Sequence, residues 1–141
     1  MVEAGSTALA KLQTGECKEI MILEESVLRA RKEDGSKIEV IYPDDGVVLI
    51  PSTVMTVAED KSANANIEAC EAVTKWFLSP EGQHYIVEAY MHSVLNGFDE
   101  IPYDSISTDD LIARDLKVNW DRCYHERDEI RKKFQEAVTT N

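Results

Sequence analysis

Apolar residues recur along this chain in two different rhythms, and each rhythm predicts an element. Helical spacing places Ala8, Leu9 and Leu12 on one stripe of a segment from Ser6 to Gln13. The same spacing joins Ile67, Cys70, Val73, Trp76 and Phe77, then Tyr85, Ile86, Ala89 and Tyr90, and finally Cys123, Arg127, Ile130, Phe134 and Ala137. Strand-like runs lie between these. Glu19–Leu23 is continuously apolar after its first residue, as in a strand buried on both faces, and Lys37–Tyr42 alternates polar with apolar. Val47–Ile50 and Val54–Val57 flank Pro51-Ser52 and read as one interrupted strand or two short ones.

Breakers and caps set the boundaries. Thr14-Gly15 ends the first helix, because glycine takes the left-handed conformation past a helix end without strain. A second helix is expected over Ser26–Glu33 with Ser26 as N-cap, closed by Asp34-Gly35. Pro43-Asp-Asp-Gly46 is turn chemistry, and Glu59–Ala65 is a polar loop. Ser79-Pro80-Glu81 restarts a helix with a capping serine, a proline at the first helical position and an acid facing the positive end of the dipole. Met91–Tyr103 is an irregular loop, a short helix opens at Ser107, and the last helix runs from about Asp121 to Val138. The order helix, strand, helix, two strands, helices implies an α/β fold with helices packed on a small mixed sheet.

Charge narrows the partners. With 27 acidic against 15 basic residues the net charge is -12, which disfavours binding to a phosphate backbone, so nucleic acid is excluded as a partner. The opening Met1-Val-Glu-Ala-Gly-Ser6 lacks the basic and apolar regions of a signal peptide. Cys17, Cys70 and Cys123 are odd in number and far apart, and read as buried free thiols.

Catalytic chemistry finds little footing. His125-Glu126 opens a near match to a zinc helix motif, but Glu129 stands where the second histidine belongs. His84 and His92 have no ligand-spaced partners and read as surface residues, and Cys123 and His125 point apart on one helix. No nucleophile elbow, phosphate loop or dinucleotide fingerprint is present, so the chain reads as non-enzymatic, without a cofactor or a metal site. Two acidic pairs remain: Glu24-Glu25 at the end of one expected strand and Asp44-Asp45 in a turn between strands. Ligands of open α/β sheets bind at strand ends, so either pair is placed to meet a cation, an amine or hydroxyl groups, and either can equally be a solvated loop.

The motifs taken together carry a resemblance. Ala8-Leu-Ala-Lys-Leu-Gln-Thr-Gly-Glu16 before an apolar run, Lys37-Ile-Glu-Val-Ile-Tyr-Pro-Asp-Asp-Gly46 and Phe77-Leu-Ser-Pro-Glu-Gly-Gln83 are similar to the closing half of type 2 solute-binding proteins of ABC transporters. Their ferric-iron and small-anion branch is the most similar. The likeness spans Ala8 to Val138. The chain departs from that branch at Glu24-Glu25-Ser26, where adjacent tyrosines are common, and at Met91–Gly97, where a Pro-Val-Arg segment is common.

The resemblance implies the C-terminal part of a two-lobed, periplasmic-binding-protein-like fold. About residues 6–42 would supply a second-lobe segment and a hinge strand, and about 43–141 the closing segment of the first lobe. It further implies a periplasmic or extracellular parent, a small-molecule or ion ligand bound by lobe closure, and an ABC permease as partner. Glu24, Glu25, Tyr42, Asp44 and Asp45 are the expected ligand contacts. The alternative is an interaction domain without a ligand, forming a homodimer through exposed apolar surface.

Overall fold

A computed structural model describes residues 4–62 and 66–139. The opening Met1-Val-Glu3 and the end of the expected Glu59–Ala65 loop lie outside the described residues. Seven α-helices follow one another among the described residues: α1 (Gly5–Gln13), α2 (Glu24–Asp34), α3 (Ile67–Phe77), α4 (Pro80–Glu88), α5 (Thr108–Ala113), α6 (Trp120–His125) and α7 (Arg127–Thr139). A 3₁₀ turn covers Glu59–Lys61.

The expected mixed sheet is not there. Among the described residues no strand forms, and the one ladder-like contact is an isolated parallel bridge between Val47 and Asp115. Its bonds run from the Val47 amide to the Arg114 carbonyl at 2.9 Å and from the Leu116 amide to the Val47 carbonyl at 3.0 Å. The physical reason is that a strand closes its hydrogen bonds only on a neighbour. The runs at 19–23, 37–42, 48–50 and 54–57 have no such neighbour in register. Their side chains are correspondingly open: Met21 is fully exposed, and Ile41 and Met55 keep 74% and 83% of their surface.

The helices follow the sequence closely because each closes its own bonds. Side-chain caps hold four of them: Asn66, Ser79, Ser107 and Asn119 accept from the amides of Ala69, Gly82, Asp110 and Arg122 at 2.9–3.1 Å. α1 ends with Gly15 at φ +79°, its amide bonded to the Leu12 carbonyl and the Glu16 amide to the Lys11 carbonyl. Two boundaries differ from expectation. α2 begins at Glu24 rather than after Ser26, with Glu24 and Glu25 in its first turn, where carboxylates favour the positive helix end. The last helix is two, broken at Glu126, whose carboxylate accepts from Arg122 Nε at 2.9 Å.

Among the described residues the buried apolar side chains are few: Val27, Leu28 and Ala30 of α2, Val87 of α4, Leu111 of α5, and Pro102 in the loop between α4 and α5. The cysteines are free but only half-buried, not buried as expected.

The Leu-Ser-Pro-Glu-Gly-Gln83 string explains itself in three dimensions. Gln83 is buried, donating from Nε2 to the Phe77 carbonyl at 2.6 Å. Its Oε1 accepts from Ser93 Oγ at 2.9 Å and the Val94 amide at 2.8 Å. It thus ties the end of α3 to the loop after α4. Gly82 lets the two helices close up: a Cβ there would lie 2.1 Å from the Trp76 carbonyl oxygen and 2.9 Å from Phe77 Cα. Backbone cannot rotate away, so Gly82→Ala is expected to cost about 1–3 kcal/mol despite alanine's better helix propensity. Gly5→Ala, with nothing within 4 Å, is expected to cost nothing. Urea denaturation of both variants checks this, and equal midpoints would show that the contact is not tight.

Candidate functional site

α2 presents its first residue, Glu24, toward three other segments. Tyr42, at the end of the 37–42 segment, donates its hydroxyl to Glu24 Oε1. Ser105 Oγ donates to the same oxygen at 2.6 Å. His92 Nε2 lies 3.0 Å from Ser105 Oγ and 3.3 Å from Glu24 Oε2, and His92 Nδ1 lies 3.0 Å from Thr108 Oγ1. Only 19% of the Glu24 side chain and 13% of the His92 side chain remain exposed.

Counting protons orders this network. A hydroxyl has one proton to give, and Ser105 gives it to Glu24. Ser105 Oγ therefore accepts from His92, which places a proton on Nε2. In the neutral ring Nδ1 then accepts from the Thr108 hydroxyl. The Glu24 carboxylate collects two hydroxyl donors on Oε1 and an imidazole N–H near Oε2. Burial pushes its pKa up, but hydrogen bonds from His92, Ser105 and Tyr42, with the His92 charge, outweigh burial and hold it below the ordinary 4.5. Tyr42 moves the other way: burial and its bond to the Glu24 carboxylate raise its pKa above 10.0.

Two turns deliver the loop residues, and both use non-glycine residues in the left-handed region. Tyr90 (φ 69°) ends α4, with the Met91 amide on the Ile86 carbonyl and its own amide on the Val87 carbonyl. Its hydroxyl donates to Glu33 Oε1 at 3.1 Å, and the Arg29 guanidinium lies 5.6 Å from its ring centre. Asp104 (φ 61°) pairs with Arg31, whose Nη1 also donates to the Ile38 carbonyl at 2.8 Å. α2 thus anchors the turns that carry His92 and Ser105.

Of the residues expected from the sequence, Glu24 and Tyr42 meet here. Glu25 is the second residue of α2 and makes no hydrogen bond or ion pair among the described residues. Asp44 and Asp45 sit exposed in the turn after Pro43, away from this network. That turn is held by the Gly46 amide on the Pro43 carbonyl at 3.2 Å and by Gly46 (φ 123°) against Leu116 and the Arg114 carbonyl. His92, read as a surface residue, is instead largely enclosed by the network. His84 is exposed, with Nδ1 on Glu100 at 2.6 Å. Ser105, Thr108 and His92 carried no spacing signal, since 81 residues separate Ser105 from Glu24.

Open space adjoins the network. A groove of about 340 Å³ is lined by Arg31, Lys37, Glu39 and Tyr103 among others, and a smaller one of about 160 Å³ by Arg31, Glu39, Val40, Tyr42 and Asp104. Lys32 Nζ sits 4.5 Å from the Tyr103 ring centre at this edge.

Because the Glu24 pKa is lower folded than unfolded, its stabilising contribution is fully present above about pH 4.5 and is lost as pH falls through the folded value. The stability difference between the native protein and Glu24→Gln, followed by thermal melts from pH 6 to pH 3, is expected to shrink below about pH 4.5. A difference that stays constant would show that Glu24 gains nothing from its charge. No curated protein and no solved structure matches the chain significantly. The family model for bacterial extracellular solute-binding proteins matches residues 2–111, which include Glu24, Tyr42, His92, Ser105 and Thr108, and the chain belongs to that family.

Proposed function

We propose that this polypeptide works as the solute-binding component of an ABC-type importer outside the cytoplasm, taking up a metal ion or a small polar solute by closure of two lobes. In this reading residues of about 6–42 and about 43–141 belong to different lobes. The 37–42 segment crosses between them, and a permease receives the closed form. The observation that carries it is the convergence of a carboxylate, a phenol, an imidazole and a hydroxyl on one point inside the family-matched region. Oxygen and nitrogen groups gathered beside open grooves suit a small polar ligand or a hard cation, held by a few placed contacts. Glu24 and Tyr42 are the contacts this reading keeps first, with Glu25, Asp44 and Asp45 as further candidates. Binding and release need no covalent step, so the reading is of a non-enzymatic protein.

Thermal unfolding of the full-length protein with ferric iron, a sugar phosphate or a polyamine tests it. One class is expected to raise the melting temperature with concentration, by about 2.7 kcal/mol of stability at a hundredfold excess over Kd. Tyr42→Phe is expected to reduce that rise. Folded protein that shifts with none of the three classes would overturn the solute reading.

A second reading is favoured by one observation, the open apolar side chains of Met21, Ile41, Ile50 and Met55. Exposed surface of this kind drives self-association, and a homodimer would cover it. Light scattering over a tenfold concentration range is expected to show a dimer mass that Ile50→Lys reduces. A monomer at every concentration would remove this reading.

A further inference from the structure

The 37–42 segment is attached to the rest of the chain in an unusual way. None of its side chains is fully buried: Ile38, Val40 and Tyr42 are half-buried, Ile41 keeps 74% of its surface, and no backbone ladder runs along the segment among the described residues. Its two ends are fixed. Ser36 is tied to α1 through Gln13 Nε2 at 2.7 Å and to α2 through its amide on the Ala30 carbonyl. At the other end Val47 is bridged to the 114–116 stretch, its amide on the Arg114 carbonyl at 2.9 Å and its carbonyl accepting from the Leu116 amide at 3.0 Å. Between the ends, side chains hold it at two points: Arg31 at the Ile38 carbonyl, and Glu24 with Ser105 at the Tyr42 hydroxyl. Both grooves, of about 340 and 160 Å³, lie along this stretch and are lined by its residues.

We infer that residues 37–42 form a strap over these grooves and that the Tyr42 hydroxyl, received by Glu24 and Ser105, is its clasp. A segment with no fully buried side chain and no backbone ladder leans on its polar contacts, so losing the clasp releases it while the helices stay folded. Fixed ends make the released strap bow outward, opening the grooves, instead of detaching. His92 acts through Ser105: its Nε2–H occupies the serine oxygen and leaves the serine proton for Glu24, which makes His92 a positioning residue for the clasp. The inference uses side chains of the solute-binding reading but needs no ligand, so the two can fail separately.

Limited trypsin digestion reads the strap directly, because Lys37 is exposed at its start. Cleavage requires several residues around the bond to leave the surface, and its rate follows the open population. Glu24→Gln and Tyr42→Phe are each expected to speed cleavage after Lys37 about ten-fold, the size of effect carried by hydrogen bonds to a charged acceptor. Cleavage after Lys61, in the 3₁₀ turn and outside the strap, is expected to stay at the native rate in the same samples. The double variant is expected to match the single ones, since both remove one clasp. Unchanged cleavage at Lys37, an equal rise at Lys61, or additive effects in the double variant would each overturn the strap.

Discussion

A polypeptide backbone outside a helix has to find its hydrogen-bond partners elsewhere, and this constraint sorts the whole chain. Where helical spacing prevails, each segment satisfies itself and needs only a cap, which Asn66, Ser79, Ser107 and Asn119 provide. Where strand-like spacing prevails, the neighbour must come from another part of a chain. Among the described residues the only answer is the Val47–Asp115 bridge. Side chains then take over the task that a ladder would perform. Arg31 holds the Ile38 carbonyl, and Gln83 joins the Phe77 carbonyl at the end of α3 to the Val94 amide.

This division also decides what can be read from the residues alone. α3, α4 and α5 were legible because their signals are local: an apolar stripe from Ile67 for α3, a stripe and the Ser79 cap before Pro80 for α4, and Ser107 before Thr108 for α5. The sheet was misread because alternation reports only that a segment would suit a strand, and pairing depends on a second segment at a matching distance and register. The site divides the same way. Glu24 entered as one acid of the Glu24-Glu25 pair after an apolar run, and Tyr42 only among the contacts expected from the resemblance. Their partners His92 and Ser105 lie in an irregular loop with no period, and the contacts that join them span 68 and 81 residues, too far for any spacing to show.

The chain carries an excess of acid, yet Glu24, with only 19% of its side chain exposed, is well supplied. Glu24 meets three donors, so its charge survives the loss of water that burial imposes. The half-buried Glu25 and the exposed Asp44 and Asp45 have no comparable set of donors among the described residues. Environment, more than residue type, separates these acids: four of the same kind within about twenty residues have different electrostatic situations.

The backbone around the network carries a cost that its contacts offset. Tyr90 and Asp104 occupy the left-handed region without being glycine, a conformation worth of order 1–3 kcal/mol in strain. Each is fastened to α2, Tyr90 through Glu33 and Arg29, Asp104 through Arg31. The turn at Tyr90 places His92 two residues on, and the turn at Asp104 places Ser105 next. The same helix that offers Glu24 therefore also holds the two turns that bring its partners to it. Strain spent on both sides of a single carboxylate, and offset from one helix, marks Glu24 as the point on which the loops after α2 and α4 are arranged.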